Sequence, residues 1–190
     1  MSTGLIITIA VAVLLILIIV GMYNKLISRK NAVDYANGSV DAMYKQRFDL
    51  IPNLVAAVKQ YMQHESGLLQ QLTELRSGGG TPDSNLTPQQ MSTMDRQFEQ
   101  AMKSFNITVE NYPDLKASEQ FTRLQASLNE CEAQLAAARR TYNAAVMDYN
   151  NALEMFPSNI MAGMMNYKRK DMITIPQSEK VNPNVSNLFQ

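Results

Sequence analysis

The sequence predicts an all-α protein in which an N-terminal transmembrane helix is followed by an elongated antiparallel helical bundle. Three observations support this class. Residues 5–23 are almost wholly apolar. Residues 121–156 carry an apolar or aromatic side chain at every third or fourth position, with no Gly or Pro between them. Residues 33–75 follow the same spacing. This periodicity is typical of long helices that pack one face against other helices.

The N-terminal run, LIITIAVAVLLILIIVGMY at 5–23, predicts an uncleaved membrane anchor over residues 1–24. About 20 apolar residues cross a hydrocarbon core of roughly 30 Å. A cleaved signal peptide is the alternative, but it requires a basic segment before the apolar run, and none is present. Lys25, Arg29 and Lys30 follow the run. The apolar run predicts a single-pass protein of the inner membrane that contacts lipid through residues 5–23. The positive-inside rule predicts that the bundle is cytoplasmic.

The bundle domain is predicted over residues 25–166, and its first helix over about 25–76. The seam of this helix is mainly Val, Ile, Leu and Tyr, spaced by three and four residues. Pro52 lacks the amide hydrogen of a helical hydrogen bond, so a kink or a restart is expected there.

Residues 77–87 predict a flexible loop, because three consecutive glycines stand among Ser, Thr, Pro, Asp and Asn. Thr87 is expected to cap the next helix, with Pro88 in its first turn and Gln90 completing a capping box. This second helix is predicted over 88–111.

The longest helix is predicted over 114–156 and ends before Pro157, because the residue preceding a proline disfavours helix. A short helix over 158–165 and a tail over 167–190 complete the chain. The inner seam of the long helix holds Phe121, Leu124, Leu128, Cys131, Leu135, Ala138, Tyr142, Ala145, Tyr149, Ala152 and Phe156. Its outer, solvated face is expected to hold Glu130, Glu132, Arg139, Arg140 and Asp148.

Composition and motifs indicate no enzyme, metal site or cofactor. Formal net charge is 0, which argues against nucleic-acid binding through bulk electrostatics. His64-Glu65 resembles the start of a zinc motif, but the second His would fall at Leu68. The glycines at 78–80 lack the lysine of a phosphate-binding loop. Cys131 is the single cysteine, so no intramolecular disulfide can form.

Two charged residues, Arg47 and Glu65, fall on the inner seam of the first helix. Either they lie at its edge and reach solvent, or one is a buried polar group that fixes helix register. Asn143 and Asn150, spaced by one heptad in the long helix, are candidate hydrogen-bond acceptors for Arg47.

The predicted helix lengths leave two apolar stripes without a partner. If the chain reverses at residue 77, the half of the long helix that carries Tyr142, Tyr149 and Phe156 extends beyond the first helix. Val33 and Val40 near the membrane also lack a partner. The tail or a bend at Pro113 could cover these stripes, but pairing between chains covers both. We therefore predict a homo-oligomer.

The strings KQRFDLIPNLVAAVKQYMQHE at 45–65, YPDLKASEQFTRLQ at 112–125 and ARRTYNAAVMDYNNALEMFPSNIMAG at 138–163 resemble the LemA family of bacterial membrane proteins. The resemblance implies a membrane helix followed by a helical bundle, with no established enzymatic activity. Family relatives have been tied to membrane remodelling and envelope stress. The chain departs from the family pattern after residue 163.

The expected function is that of a non-catalytic, self-assembling membrane scaffold or interaction protein of the bacterial envelope, acting in membrane organisation or remodelling. The alternative is an adaptor or regulator that presents its bundle to a partner in the membrane, such as a protease or transporter.

Overall fold

The computed structural model describes residues 3–78 and 86–174, and helices are the only regular elements in these ranges. The all-α prediction is thereby confirmed. The apolar run lies in the first helix, which is long and apolar enough to cross a membrane. The helices are α1 (Thr3–Lys59), α2 (Ser66–Gly78), α3 (Pro88–Val109), α4 (Pro113–Lys116), α5 (Glu119–Glu154) and α6 (Ser158–Met164).

The first helix of the bundle ends earlier than the sequence pattern indicates. α1 stops at Lys59 and α2 begins at Ser66, so a helix over 25–76 was wrong between residues 60 and 65. The side chain of Met62 is fully buried in this turn. The Met62 carbonyl accepts a hydrogen bond from the Glu65 amide at 3.1 Å. Burial of Met62 and this short-range bond stabilise a turn where apolar spacing alone predicts helix.

Pro52 does not interrupt α1, although a kink or restart was expected there. Ile51 and Leu54, on either side of it, are 1% and 0% exposed. Burial of these side chains offsets the hydrogen bond that proline cannot donate. The new helix start lies at Ser66 instead.

The capping box before α3 is confirmed. Thr87 is its N-cap, its side chain accepts a bond from the Gln90 amide, and the Gln90 side chain accepts one from the Thr87 amide. Residues 79–85 of the expected flexible loop lie outside the described residues. The long helix predicted from 114 begins at Glu119, because Pro113 starts the single turn of α4 and a break follows at 117–118.

The described residues divide into two compact units. We call residues 3–36 with 142–172 the N-terminal unit, and residues 37–141 with 173–174 the central unit. Helices α1 and α5 contribute to both units.

In the central unit α1 runs parallel to α3, and α5 runs antiparallel to both. The Tyr44 hydroxyl of α1 donates to the Met91 carbonyl near the start of α3 at 3.3 Å. Further along both helices, the Phe48 and Phe98 rings meet edge to face with centroids 6.4 Å apart. Arg139, in the second half of α5, donates to the Tyr44 hydroxyl at 3.1 Å. The parallel pair exists because α2 turns the chain back before α3 begins.

In the N-terminal unit α1 and α5 again run antiparallel. Arg29 of α1 pairs with Asp148 of α5 at 2.7 Å. Leu26 and Val33 of α1 and Tyr149 of α5 are 2% exposed or less. The last turns of α5 therefore lie beside the part of α1 that follows the apolar run.

Apart from Phe156, which is 80% exposed, the two stripes predicted to need a second chain are buried within one chain. Val33, Val40 and Tyr44 are each 0% exposed, and Tyr142 and Tyr149 are 5% and 2% exposed. The earlier chain reversal at 60–65 removes the length mismatch on which the predicted pairing between chains depended. These stripes therefore provide no argument for self-association.

Candidate functional site

Four charged side chains meet between α1, α3 and α5 of the central unit, three of them buried and Glu132 half-buried. We call them the charge cluster: Arg47 from α1, Asp95 from α3, and Glu132 and Arg139 from α5. Arg47, Asp95 and Arg139 are 4%, 5% and 2% exposed. Charged residues are almost never buried to this degree unless they are paired.

Asp95 is the centre of the cluster. Its Oδ1 atom accepts hydrogen bonds from the Tyr44 hydroxyl at 2.9 Å, from Arg47 Nη1 at 2.9 Å and from Arg139 Nη2 at 2.5 Å. The donors come from α1 and α5, while the acceptor comes from α3. One carboxylate oxygen therefore links three helices at a defined register.

Arg47 has two further contacts. Its Nε lies 2.6 Å from Glu132 Oε1, close enough for an ion pair, although the N–H is not aligned for a hydrogen bond. Its guanidinium carbon stands 3.6 Å from the centre of the Phe98 ring, within the range of a cation–π contact. Arg47 is thus held by charge on two sides and by an aromatic face on a third.

The cluster balances its charges internally, with two guanidinium groups and two carboxylates. Burial raises the pKa of Glu132, and the neighbouring Arg47 opposes that rise. Burial and the charge of Asp95 raise the pKa of Tyr44, so its hydroxyl keeps the proton that it donates to Asp95. The arrangement suits a structural role because each charge faces an opposite charge of the same chain.

Of the two alternatives for Arg47, solvated at the edge of the seam or buried, the structure has the buried one. Arg47 faces the interior, and its partners are Asp95 and Glu132 rather than an asparagine. Arg139 was expected on the outer face, which the structure contradicts, whereas Glu132, expected there too, is half-buried with 39% of its side chain exposed. Arg139 follows Leu135 by four residues and precedes Tyr142 by three, so a wider apolar stripe would have included it. Asp95 has the same signal, since it follows Met91 by four residues and precedes Phe98 by three.

Glu65, the other charged candidate, is half-buried in the turn between α1 and α2. The Tyr112 hydroxyl donates to its Oε1 atom at 3.3 Å. Tyr112 precedes α4, so this bond joins two turns of the central unit.

In the N-terminal unit, Asn150 holds the segment that follows α6. Its side-chain amide donates to the Lys170 carbonyl at 2.9 Å, and its side-chain oxygen accepts from the Lys170 amide at 3.0 Å. The Tyr142 hydroxyl donates to the Asp171 carbonyl at 3.2 Å. The Lys170 ammonium pairs with Asp34 of α1 at 2.5 Å. The first part of the expected tail is therefore docked through backbone contacts.

We expect Asn150→Ala to release this segment, because the backbone of Lys170 loses two hydrogen bonds. Each is worth about 0.5–1.5 kcal/mol. When opening is fast relative to cleavage, that loss increases the trypsin cleavage rate after Lys168 or Arg169 by about 5- to 160-fold. Asn151→Ala, an exposed neighbour on the same helix, is the control. Equal cleavage of both variants would contradict the role of Asn150.

The remaining candidates lie in different environments. Tyr149 packs against Tyr167 with ring centroids 6.2 Å apart, and burial raises the pKa of Tyr149. Asn143 is half-buried. Phe156 lies beyond the end of α5 and is 80% exposed, so it does not continue the inner seam. Within the described ranges, no group of three or more His, Cys, Asp or Glu side chains is arranged to hold a metal.

The family model described as "LemA family" matches residues 36–187 of this chain. The chain is 24% identical over 170 residues to Protein LemA of Metamycoplasma hominis, and the aligned region covers 89% of this chain and 76% of that protein. It is 23% identical over 172 residues to Magnetosome protein MamQ 2 of Paramagnetospirillum magneticum, covering 78% and 63% of the two chains. Magnetosome protein MamQ of Magnetospirillum gryphiswaldense is 21% identical over 170 residues, covering 77% and 62%. The chain thus spans less than two thirds of these two magnetosome proteins. The match over residues 36–187, together with the buried seams that the quoted strings form, shows that this chain belongs to the LemA family.

Proposed function

We propose that this chain is a non-catalytic scaffold of the cell envelope, anchored in the inner membrane by α1 with its bundle in the cytoplasm. The observation that carries the proposal is the change in burial along one uninterrupted helix. α1 runs from Thr3 to Lys59 without a break. Its apolar side chains between Leu5 and Val20 are about half exposed, and Leu26 is only 1% exposed.

Exposure of such a long apolar surface to water is unfavourable, and a bilayer removes that cost. The buried seam begins within one helical turn of Tyr23. Because no linker separates the apolar run from the seam, the bundle is held close to the membrane surface.

The chemistry of the interior also favours a structural role. Asp95 accepts hydrogen bonds from both arginines of the charge cluster and Glu132 forms an ion pair with Arg47, an internal pairing that favours helix register over reaction with a substrate. The similarity to Protein LemA and to magnetosome proteins supports a membrane-associated protein.

The proposed orientation rests on Lys25, Arg29 and Lys30, which follow the apolar run. It is tested by labelling the variant Cys131→Ala/Gln100→Cys in intact cells. Gln100 is exposed on α3, and Cys131 is fully buried. A membrane-impermeant maleimide is expected to label the new cysteine only after the inner membrane is permeabilised. Labelling of cells with an intact inner membrane would reverse the orientation.

The same cysteine, carrying a benzophenone crosslinker, tests the scaffold against the adaptor alternative. Self-assembly is part of the proposal because confinement in the membrane plane raises the local concentration of neighbouring anchors. Illumination of membranes is then expected to give adducts between two copies of this chain. A single stoichiometric adduct with another membrane protein would favour the adaptor or regulator. If neither kind of adduct forms, an interaction through this face of α3 is contradicted.

A further inference from the structure

A pocket of about 350 Å³ lies in the N-terminal unit, where α1 leaves the apolar run. One wall belongs to α1 and includes Lys25 and Arg29, and the other belongs to the last turns of α5. Phe156 lines its end, in the turn between α5 and α6. At about 1.5 Å per residue, Lys25 and Arg29 lie roughly 3 and 9 Å beyond Tyr23 along the helix. If α1 spans the membrane, this is the level of the lipid headgroups.

The charged side of the pocket suits an anion. Two cations and one carboxylate, Asp148, line it, so its net charge is positive. Asp148 holds the Arg29 guanidinium at 2.7 Å and leaves other N–H groups of Arg29 available to a ligand. Lys25 is exposed and makes no ion pair with any residue in the described part of the chain. Its ammonium group is therefore available to a phosphate.

The apolar side of the pocket continues into an exposed surface. Met22, Leu26 and Met155 line the pocket itself. Met155 is 64% exposed and Phe156 is 80% exposed. In α6, Ile160 and Met164 are 58% and 79% exposed. Large apolar side chains grouped in this way typically mark a contact with a protein or a membrane.

The position of this exposed apolar surface favours contact with a membrane over contact with a protein. The residues that line the pocket include Met22, which belongs to the apolar run itself. A lipid at this level offers a phosphate to the basic residues and acyl chains to the apolar ones. We propose that the pocket binds the headgroup phosphate of an anionic phospholipid through Lys25 and Arg29, while the turn around Phe156 enters the same leaflet. This inference rests on the proposed membrane anchor.

The chain contains no tryptophan, so Phe156→Trp introduces a single fluorescent probe at the proposed contact. The full-length variant is reconstituted into phosphatidylcholine vesicles that contain a minor fraction of brominated phosphatidylglycerol or of brominated phosphatidylcholine. Bromine on an acyl chain quenches tryptophan by contact. Ile107→Trp, exposed in the central unit, is the control for a probe outside the leaflet.

We expect blue-shifted emission and strong quenching for Phe156→Trp, and water-like, unquenched emission for Ile107→Trp. Brominated phosphatidylglycerol should be enriched beside Phe156→Trp by about fivefold over brominated phosphatidylcholine. This is the Boltzmann factor for the roughly 1 kcal/mol that a basic residue contributes near anionic lipid. Adding Lys25→Gln should remove most of this enrichment, whereas adding Lys45→Gln, an exposed site further along α1, should preserve it.

Carbonate extraction of the same vesicles tests the membrane anchor separately from the lipid site. Protein that resists extraction but shows an unquenched Phe156→Trp probe overturns the lipid site and leaves the anchor standing. Equal quenching by the two brominated lipids, or an unchanged preference in Lys25→Gln, also overturns binding of the anionic headgroup. Release of the protein by carbonate overturns the anchor and the lipid site together.

Discussion

Replacing Asp95 with Asn is expected to lower the free energy of unfolding by about 3–5 kcal/mol, the range for breaking a buried ion pair by removing one partner. The side chain changes little in size, so the loss reports charge and hydrogen bonding rather than volume. Arg47 and Arg139 then face each other's positive charge with only Glu132 to balance them. The Tyr44 hydroxyl also loses an anionic acceptor.

Thermal and urea unfolding of the full-length protein, followed by circular dichroism, measure this loss. Asp49→Asn is the matched control because it makes the same replacement at an exposed site on α1. A change of charge at such a surface site normally stays within about 0.5 kcal/mol. If Asp95→Asn and Asp49→Asn unfold at the same urea concentration, Asp95 does not hold the three helices together.

Arg139→Ala is expected to have a similarly large effect, again about 3–5 kcal/mol. Arg139 is 2% exposed and donates to Asp95 and to the Tyr44 hydroxyl. Its removal leaves Asp95 with one guanidinium partner and leaves a void in the interior. Arg140, the next residue, is exposed, so Arg140→Ala removes the same chemical groups from the surface. That control should change stability by no more than about 0.5 kcal/mol.

A double-mutant cycle gives the more specific result. Once Asp95→Asn has removed the shared acceptor, Arg139→Ala should cost less than it does in the wild-type chain, because residues of one network do not contribute additively. Strictly additive losses would mean that Arg139 stabilises the interior through packing alone. Equal losses for Arg139→Ala and Arg140→Ala would mean that burial of Arg139 is not important for stability.

Local patterns in the sequence were sufficient to predict most of the helical residues and one helix cap, but not the breaks at 60–65 and 117–118. The seam from Phe121 to Ala152 faces inward because a three-and-four spacing places these side chains on one face, whatever they pack against. Its larger members from Phe121 to Tyr149 are mostly buried, while Leu124 and the alanines are half-buried. The start of α3 followed from Thr87, Pro88 and Gln90, whose side chains satisfy the amide groups at a helix end within a few residues. Both signals act over one or two helical turns.

The partners of Arg47 could not be predicted from local patterns. Its place on the inner seam followed from spacing, but its partners are 48 and 85 residues away along the chain, since Asp95 and Glu132 belong to other helices. Spacing in one helix contains no information on which residue of another helix stands opposite. Glu132 and Arg139 were assigned to the outer face for the same reason, because a charged residue is normally solvated unless a partner compensates its burial.

By itself, the sequence determined that this protein is helical, that its first residues form an apolar run long enough to span a bilayer, and which faces of the long helices are apolar. The tertiary structure alone decided where the chain reverses and what each face meets. The turn at 60–65 depends on the burial of Met62, and it brings α3 parallel to α1. Apolar periodicity continues through the turn at 60–65. This turn is therefore distinguished from a helix only by packing between distant segments, which no local pattern encodes.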